Sequence, residues 1–506
     1  MLALSRLKQA VCRTPMSMRV LIATEIPELF GRFGIMTSLA LYLTQNCQQT
    51  DARAVLVFST YLMLAAVTPM LGGLLADRLL GYKAAIRIGA TMMLCGNVLM
   101  VVPSLLFLFI GLGVLVAGSG LFSPSLAALV SAVYQNQPHK RDQAFIAYYV
   151  AKNMGALLAP PLCGVIGVCF GYHYAFLLTS LVMMAGLLLF LRYQHELPTV
   201  SLVRGAGRSA LCVRAARFAH QHSRLVSVGL MSVVAVVAIV VLMVDARQAL
   251  LVVCLLVTSL LLALLFRQAS LVQRRQLTII VITMMALIAF LAINHLCGAS
   301  FNLFVERLID RRVMSVTLPT SVFYAIDPLF MLLFGALIAK LLAHIKQPHY
   351  VVACFSKFTV AMLVFALGLF CFVIAAAKAM AVGSASSVYV VCCYALCAVA
   401  ELCIVPIALS LITRLAPAGL TGLSVGLFSF SDMIASYFTG LIAVGGSVPF
   451  HVHSLHTREL AAAIYHSVFA HLTLVLLNSA FVLFLVRMGL AYCYRSRSRL
   501  GDVITI

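Results

Sequence analysis

The chain has 506 residues, of which 63% are hydrophobic and only 10% are charged, and its formal net charge is +21. A soluble chain carries about 25% charged residues, so a soluble globular protein is excluded. Nucleic-acid binding, which the net charge alone could suggest, is disfavoured because the basic residues gather in connectors between apolar runs. The composition therefore predicts a polytopic helical membrane protein.

Fourteen apolar runs are long enough to cross a hydrocarbon core, which needs about 17–25 residues of helix. We predict these spans at 18–45, 54–76, 84–102, 105–134, 143–168, 174–192, 225–244, 248–266, 277–304, 320–344, 350–377, 387–414, 421–445 and 462–490.

The basic stretch 194–224 divides these spans into six and eight. The two spans within 225–266 contain no charged side chain, which indicates a spacer hairpin and leaves six spans on each side. The predicted domains are an N-terminal six-helix half, a basic cytoplasmic loop, the spacer hairpin, and a C-terminal six-helix half with its tail. Their limits are 1–193, 194–224, 225–266 and 267–506.

Basic residues concentrate in alternate connectors, namely before the first span, after the second and the fourth, in 194–224 and at the C-terminus. The positive-inside rule places such connectors in the cytoplasm. We therefore predict a multi-pass protein of the cytoplasmic (inner) membrane with both termini in the cytoplasm. The first apolar run contains acids and is too long for the core of a cleavable signal peptide.

The first span carries three charged side chains, Glu25, Glu28 and Arg32. Their spacing of three and four residues places them on one face of a helix. A charge at the bilayer centre costs about 2.5–3.5 kcal/mol on insertion scales, so charges there are usually functional. Arg32 beside Glu28 could hold that carboxylate ionised or release it, as a proton-coupled switch requires. A static structural ion pair is the alternative.

A short sequence echo follows the second span of each half. "GGLLADRLLGYK" (72–83) is repeated loosely by "GALIAKLLAHIK" (335–346). Repeated halves are typical of major facilitator carriers. The first copy resembles the loop motif of that superfamily, with Asp77 and Arg78 as its charged pair. The second copy is equally well explained by ordinary basic residues at a helix end.

Five stretches resemble, in order, the signatures of the proton-dependent oligopeptide transporter (POT) family, and the resemblance covers nearly the whole chain. They are "ATEIPELFGRFG" (23–34), "RDQAFIAYYVAKNMGALLAPPLCG" (141–164), "GASFNLFVERLIDR" (298–311), "AIDPLFMLLFGALIA" (325–339) and "ELCIVPIALSLITRLAPAGLTGLSVGLF" (401–428). The matching positions include Glu25, Glu28, Phe30 and Gly34, then Arg141, Asp142, Phe145, Tyr149, Asn153 and Gly155, then Glu401, Pro406, Ser410, Leu415, Ala416 and Pro417. The spacer hairpin is similar to that of bacterial members with 14 helices.

The resemblance implies a major facilitator fold and a central cavity for di- and tripeptides. By position, Glu401 would meet the amino end of the peptide, and Asn153 its backbone or carboxyl end. Glu25 and Glu28 would couple proton uptake to binding. The predicted proton-coupling set is completed by Arg32 and His295, and the predicted substrate-binding set by Tyr149, Lys152, Asn302, Asp327 and Ser431.

Several positions depart from the family pattern. Leu29 and Ser123 stand where the family has an arginine and a lysine, His295 lies near the position of an acid, and Asp327 replaces an asparagine. The site has therefore lost positive charge and gained negative charge, to which Asp432 can add. A carrier of the same fold for cationic or carboxyl-modified peptides or amines, or one with altered proton coupling, is accordingly the alternative function.

Two cations could compensate for the missing ones, and each has a structural alternative. Arg32 is one turn from Glu28, and Lys152 lies inside the fifth span next to Asn153. A lysine in a span is a functional candidate, although it could instead pack against an acid of another helix. A histidine is the residue type suited to relaying protons near neutral pH, so His295 could have that role, or it could be a hydrogen-bonded structural side chain.

The leading prediction is a proton-coupled symporter that imports di- and tripeptides by alternating access. An enzyme is disfavoured because no zinc-protease, serine-nucleophile or phosphate-binding signature occurs, and a channel because nothing repeats as a selectivity filter. The 15 cysteines show no metal-site or disulfide spacing and are expected to be small buried side chains. We expect no cofactor or metal, protons as coupling ions, no nucleic acid and a monomer in the lipid bilayer.

Overall fold

The computed structural model describes almost the whole chain, and nearly all of it is helical. The described residues are 15–133, 138–198, 223–268, 270–313, 316–343, 349–415, 421–448 and 455–499. Within them, ten helices are long and apolar enough to cross a membrane. The predicted all-helical, polytopic architecture is thereby confirmed.

The chain forms two compact units. Unit 1 comprises the residues up to Tyr42 and Thr60–Arg247, and unit 2 comprises Leu43–Ser59 and the residues from Gln248 onward. The predicted domain limits at 193, 224 and 266 stay a prediction.

Seven helices precede the boundary at Arg247, and several extend beyond the predicted spans by a few residues. They are α1 (Met16–Leu41), α2 (Asp51–Leu75), α3 (Tyr82–Met100), α4 (Leu105–Val133), α5 (Pro138–Phe170), α6 (Tyr172–Tyr193) and α7 (Ser223–Val244). Short π-helical turns at Tyr42–Asn46 and Ala76–Leu80 continue α1 and α2.

Glycines set the close packing of unit 1. A Cβ atom at Gly89 on α3 would lie 2.7 Å from the carbonyl oxygen of Gly118 on α4, and one at Gly155 would lie 2.8 Å from the carbonyl oxygen of Ile26. Small residues allow helix backbones in a membrane to approach this closely. Gly155 therefore allows α5 to pack closely against α1 at Ile26, Leu29 and Phe30.

Nine helices and two short strand pairs make up the rest of the described chain. The helices are α8 (Arg247–Gln268), α9 (Leu271–Asn294), α10 (Ser300–Leu308), α11 (Thr320–Tyr324), α12 (Ile326–Ala343), α13 (Tyr350–Val382), α14 (Val388–Leu415), α15 (Thr421–Gly445) and α16 (Leu455–Arg499). Strands β1 (Ile309–Asp310) and β4 (Ala385–Ser386) pair in parallel, and β2 (Arg312–Val313) and β3 (Val316–Thr317) pair antiparallel.

Two spans predicted as continuous helices are broken, so those predictions are wrong in detail. The span 277–304 is interrupted by a 3₁₀ turn at His295–Gly298, where Gly298 weakens the helix. The span 320–344 is interrupted at Ala325. Pro328 has no N–H to donate to the carbonyl of Tyr324, so one helix hydrogen bond is missing at this break.

An aromatic cluster holds α10 in place beyond the first break. Phe301 and Phe304 of α10 pack against Phe372 of α13 and Phe469 of α16, with ring centroids 4.9–5.5 Å apart. Edge contacts of this kind add to the apolar burial of large rings. The cluster fixes α10 and leaves the 3₁₀ turn at His295 between two anchored helices.

Candidate functional site

The charged face of α1 is buried in unit 1. The carboxylates of Glu25 and Glu28 belong to residues only 1% and 2% exposed, and Arg32 Nε lies 3.5 Å from Glu28 Oε1. The Arg32 side chain is 32% exposed, so one end of this ion pair is open. The structure therefore places Arg32 beside Glu28, while the roles of the three residues in proton coupling stay a prediction.

The predicted loop motif lies at the junction of α2 and α3. Asp77 sits in the π-helical turn and accepts a hydrogen bond from the hydroxyl of Tyr82. Gly81 between them has a φ of +74°, a backbone conformation that favours glycine. The side chain of Arg78 lies outside the described residues, as do residues 344–346 at the end of the second copy (335–346).

The fifth-span signature lies on α5. Asn153 is 9% exposed, and Gly155, two residues further along the helix, packs closely against the α1 backbone at Ile26. The side chains of Tyr149 and Lys152 lie outside the described part of the chain, although both residues belong to α5. The contribution of Lys152 therefore stays a prediction.

A second group of polar residues lies in unit 2, around the break after α9. Asn294, the last residue of α9, donates from Nδ2 to Glu401 Oε2 at 3.0 Å. The Asp327 carboxylate of α12 is near enough to repel that of Glu401, and its Oδ1 atom is buried without a hydrogen-bond partner. Two helices packed against α14 thus bring an amide and a second carboxylate to Glu401.

His295 is the first residue of the 3₁₀ turn and contacts α15. Its Nε2 atom lies 3.2 Å from Asp432 Oδ1, and its Nδ1 atom lies 3.4 Å from the hydroxyl of Ser436. Asp432 and Ser436 are one turn apart on α15, so they meet the same imidazole ring. We call the set Asn294, His295, Asp327, Glu401 and Asp432 the acidic cluster.

The two remaining predicted substrate-binding residues are buried. Asn302 is fully buried in α10, where its Nδ2 atom contacts the carbonyl oxygen of Gly298 at 3.4 Å. Ser431 is fully buried in α15, next to Asp432. Binding of substrate by either side chain stays a prediction.

A strong ion pair in unit 2 was missed by the sequence analysis. Arg307, at the end of α10, binds both carboxylate oxygens of Asp51, with one N–O distance of 2.7 Å. The backbone N–H of Val448 also donates to Asp51, and Tyr465 hydrogen-bonds Arg307. The signal available was weak: an aspartate in the first turn of a helix is explained by the helix dipole alone.

Among the described residues, unit 1 thus contains the charged face of α1, and unit 2 contains the acidic cluster and the Arg307–Asp51 pair. Carboxylates in such surroundings can hold a proton or the ammonium group of a ligand. Among the described residues, no three His, Cys, Asp or Glu side chains are arranged to bind a metal ion. The chemistry available in these groups is reversible binding of protons and cations.

Residues 83–446 match the model of the POT family, which covers well over half of the chain. The chain belongs to the POT family. It is 26% identical to "Dipeptide and tripeptide permease A" of Chromobacterium violaceum over 90% of both chains. It is 27% identical to "Peptide transporter YePEPT" of Yersinia enterocolitica over 86% of this chain and 88% of the relative.

The fold of this POT protein is similar to that of solved transporters. A structure described in a study of substrate recognition in proton-dependent oligopeptide transporters superposes with a TM-score of 0.77, at 25% identity, covering 94% of this chain and 98% of the other. The predicted major facilitator fold, with two six-helix halves and a spacer hairpin, is confirmed. The POT protein is a multi-pass membrane carrier and not an enzyme.

Proposed function

We propose that this POT protein imports di- and tripeptides together with protons across the cytoplasmic membrane, by alternating access. The observation that carries this proposal is the family match over 83–446, together with relatives of almost equal length that are named for di- and tripeptide transport. The proton dependence named for a solved relative supports the coupling.

The acidic cluster suits the amino end of a peptide. Glu401 is oriented by Asn294 at 3.0 Å, and Asp327 adds negative charge beside it. An ammonium group would relieve the repulsion between these carboxylates, since a buried charge is stable only when paired. Glu401 is accordingly proposed as the principal contact of the peptide ammonium.

The buried carboxylates of α1 suit proton coupling. Glu25 and Glu28 lie in an apolar helix, and the described contact between Arg32 Nε and Glu28 Oε1 is 3.5 Å long. A carboxylate that is shielded from water and loosely paired can exist in both protonation states during a transport cycle. We assign the coupling of proton uptake to these two residues.

Uptake into proteoliposomes tests the proposal. With an inward proton gradient, purified protein should accumulate labelled di-alanine, and a protonophore should reduce uptake to the level of facilitated diffusion. Accumulation that is indifferent to the gradient would show a peptide carrier without proton coupling. No di-alanine uptake and no exchange of internal for external peptide would contradict the peptide assignment itself.

A second candidate function is transport of cationic or carboxyl-modified peptides or amines. The observation that favours it is the excess of acid in the acidic cluster, where Asp327 and Asp432 accompany Glu401. Substrates with a second cation would neutralise more of this charge. Competition for uptake tests it: lysyl or amidated peptides should displace label better than di-alanine does.

The proposal also covers the orientation of the chain in the membrane, its oligomeric state and its need for cofactors. The basic connectors support cytoplasmic termini, and we propose that the transporting species is a monomer that needs no cofactor. Labelling of single cysteines introduced at each terminus of intact cells, and the mass of the protein in detergent micelles, test these two points separately.

A further inference from the structure

A groove of about 650 Å³ lies on the surface of unit 1 and is lined by α3, α4, α6 and α7. Its floor is one face of α3, because the floor residues recur at steps of three and four, as on one side of a helix. They are Ala84, Arg87, Ile88, Thr91, Met92 and Cys95. The walls are formed by Val114 of α4, Leu191 of α6 and Val228 of α7. We call this feature the α3 groove, and its volume is in the range of about 300–1,000 Å³ that holds small-molecule ligands.

The α3 groove faces away from α1 and its buried carboxylates. Ile86 and Ala90, on the other side of α3, belong to a buried cluster that includes Met18 of α1. Each residue turns a helix by about 100°, so the floor of the groove lies about half a turn away from that buried face. The walls are open, since Leu191 and Val228 are 41% and 42% exposed. In a multi-pass membrane protein, an apolar face of this kind meets lipid.

The floor of the groove changes from polar to apolar along α3. Arg87 and Thr91, one turn apart, lie nearer the start of the helix at Tyr82, and Met92 and Cys95 follow them. At 1.5 Å per residue, Cys95 lies about 12 Å beyond Arg87 along the helix axis. A phospholipid has the same order of chemistry, with a charged phosphate at the membrane surface and hydrocarbon below it.

The guanidinium of Arg87 is partly buried in the groove and is available for a ligand. Within the described ranges it makes no ion pair and no hydrogen bond, and only the backbone carbonyl of Arg87 is engaged, by the Thr91 hydroxyl at 2.9 Å. Lys83, one turn earlier, adds positive charge, and its Nζ atom lies 2.6 Å from the carbonyl oxygen of Leu197. A charge beside apolar side chains is stable when it is paired. A guanidinium pairs well with phosphate, because it can donate two parallel hydrogen bonds to the phosphate oxygens.

We propose that the α3 groove binds one anionic phospholipid, with the lipid phosphate on Arg87 and an acyl chain along the apolar part of the floor. Basic pockets between membrane helices bind anionic headgroups in this way. Lys83 and Arg87 give this end of the groove two positive charges, so a headgroup with net negative charge is favoured over one that also carries an ammonium group. The proposed cytoplasmic orientation places this lipid in the inner leaflet, but binding itself depends neither on that orientation nor on peptide transport.

The test uses the absence of tryptophan from the sequence, because one introduced tryptophan then reports the lipid beside it. Leu191→Trp and, separately, Val228→Trp place the probe on a wall of the groove, and Leu333→Trp places it on α12 at a position that is 63% exposed and outside the groove. Each variant is reconstituted with phosphatidylglycerol and phosphatidylethanolamine, one of which has brominated acyl chains that quench fluorescence on contact. The association constants from the quenching curves should favour phosphatidylglycerol about fivefold at the two wall positions and be about equal at Leu333→Trp. A fivefold preference corresponds to about 1 kcal/mol, the contribution of one basic side chain near an anionic lipid surface.

Arg87→Gln, added to Leu191→Trp, should make the two association constants equal while both lipids still quench, which shows that the groove is intact. Arg275→Gln is the matched control, because Arg275 is an exposed arginine near the start of α9, as Arg87 is near the start of α3. This control should keep the fivefold preference.

Three results would overturn the proposal. The first is equal association constants at Leu191→Trp and Val228→Trp, and the second is a preference that persists in Arg87→Gln. The third is quenching by neither lipid at the wall positions, since a second copy of the chain or another segment of it would then cover the groove. The readout needs no transport, so none of these results bears on the peptide assignment.

Discussion

Unit 2 contains two ion pairs that use charge in opposite ways. Arg307 and Asp51 share two N–O contacts, and their side chains are 19% and 6% exposed. His295 and Asp432 share one contact of 3.2 Å, and Asp432 is 35% exposed. A guanidinium stays charged at every physiological pH and binds a carboxylate with two parallel bonds, whereas an imidazole titrates. The first pair is a fixed link, and the second is a single contact that is partly open to solvent.

The Glu28–Arg32 pair of unit 1 shares features with both of these ion pairs. It has an arginine, as the fixed link does, but its described N–O contact is 3.5 Å long and its arginine is 32% exposed. Glu28 itself is 2% exposed, so its carboxylate is shielded from water beside the guanidinium of Arg32. The Glu28–Arg32 pair therefore differs from the Asp51–Arg307 pair in its longer contact and in the greater exposure of its arginine to solvent.

The largest effect is expected from breaking the fixed link. Arg307→Ala leaves the Asp51 carboxylate buried with the Val448 N–H as its remaining described donor, which should cost about 3–5 kcal/mol of folding free energy. Melting curves in detergent, followed by fluorescence of a thiol-reactive dye, measure the loss. The control is Arg312→Ala, because Arg312 is exposed. A fall in Tm for Arg307→Ala no larger than for the control would show that the link is dispensable.

The comparison also shows what could be read from the sequence. Hydropathy gave the spans, because each helix must satisfy its backbone within the bilayer, and the acids of α1 stood out as charges in an apolar run. The breaks at His295 and Ala325 depend on one glycine and one proline among apolar neighbours. The partners of Arg307 and His295 lie 256 and 137 residues away, and helical periodicity carries no information on such pairings.

At the Glu28–Arg32 pair we expect a smaller effect on stability but a large effect on the coupling of peptide uptake to protons. Glu28→Gln keeps the shape of the side chain and removes its charge, so Arg32 loses its described carboxylate partner while the helix stays intact. Accumulation of di-alanine against a gradient should fall at least tenfold, while exchange of internal for external peptide continues. Uptake by Glu28→Gln that still accelerates in acid as the wild type does would remove Glu28 from the coupling mechanism.

The next largest effect is expected from removing a negative charge beside Glu401. Asp327→Asn removes a carboxylate that repels Glu401 and leaves the Asp51–Arg307 link untouched. Affinity for lysyl peptides should fall about tenfold relative to di-alanine, which corresponds to about 1.4 kcal/mol. Competition curves at fixed pH measure the ratio. An unchanged ratio would show that Asp327 does not meet the cationic part of the substrate.

The smallest effect on stability is expected at a buried contact between two uncharged side chains, which serves as a reference for the ion pairs. In unit 1 the Thr179 hydroxyl lies 3.1 Å from Asn97 Oδ1, and both residues are at most 1% exposed. Thr179→Val keeps the volume of the side chain and removes the hydroxyl, whose one proton faces both Asn97 Oδ1 and the Phe176 carbonyl oxygen at 2.8 Å, which should cost about 0.5–1.5 kcal/mol. Melting curves at two pH values should show the same small fall in Tm, because nothing in the contact titrates. A loss as large as that of Arg307→Ala would mean that burial, and not charge, determines the strength of the fixed link.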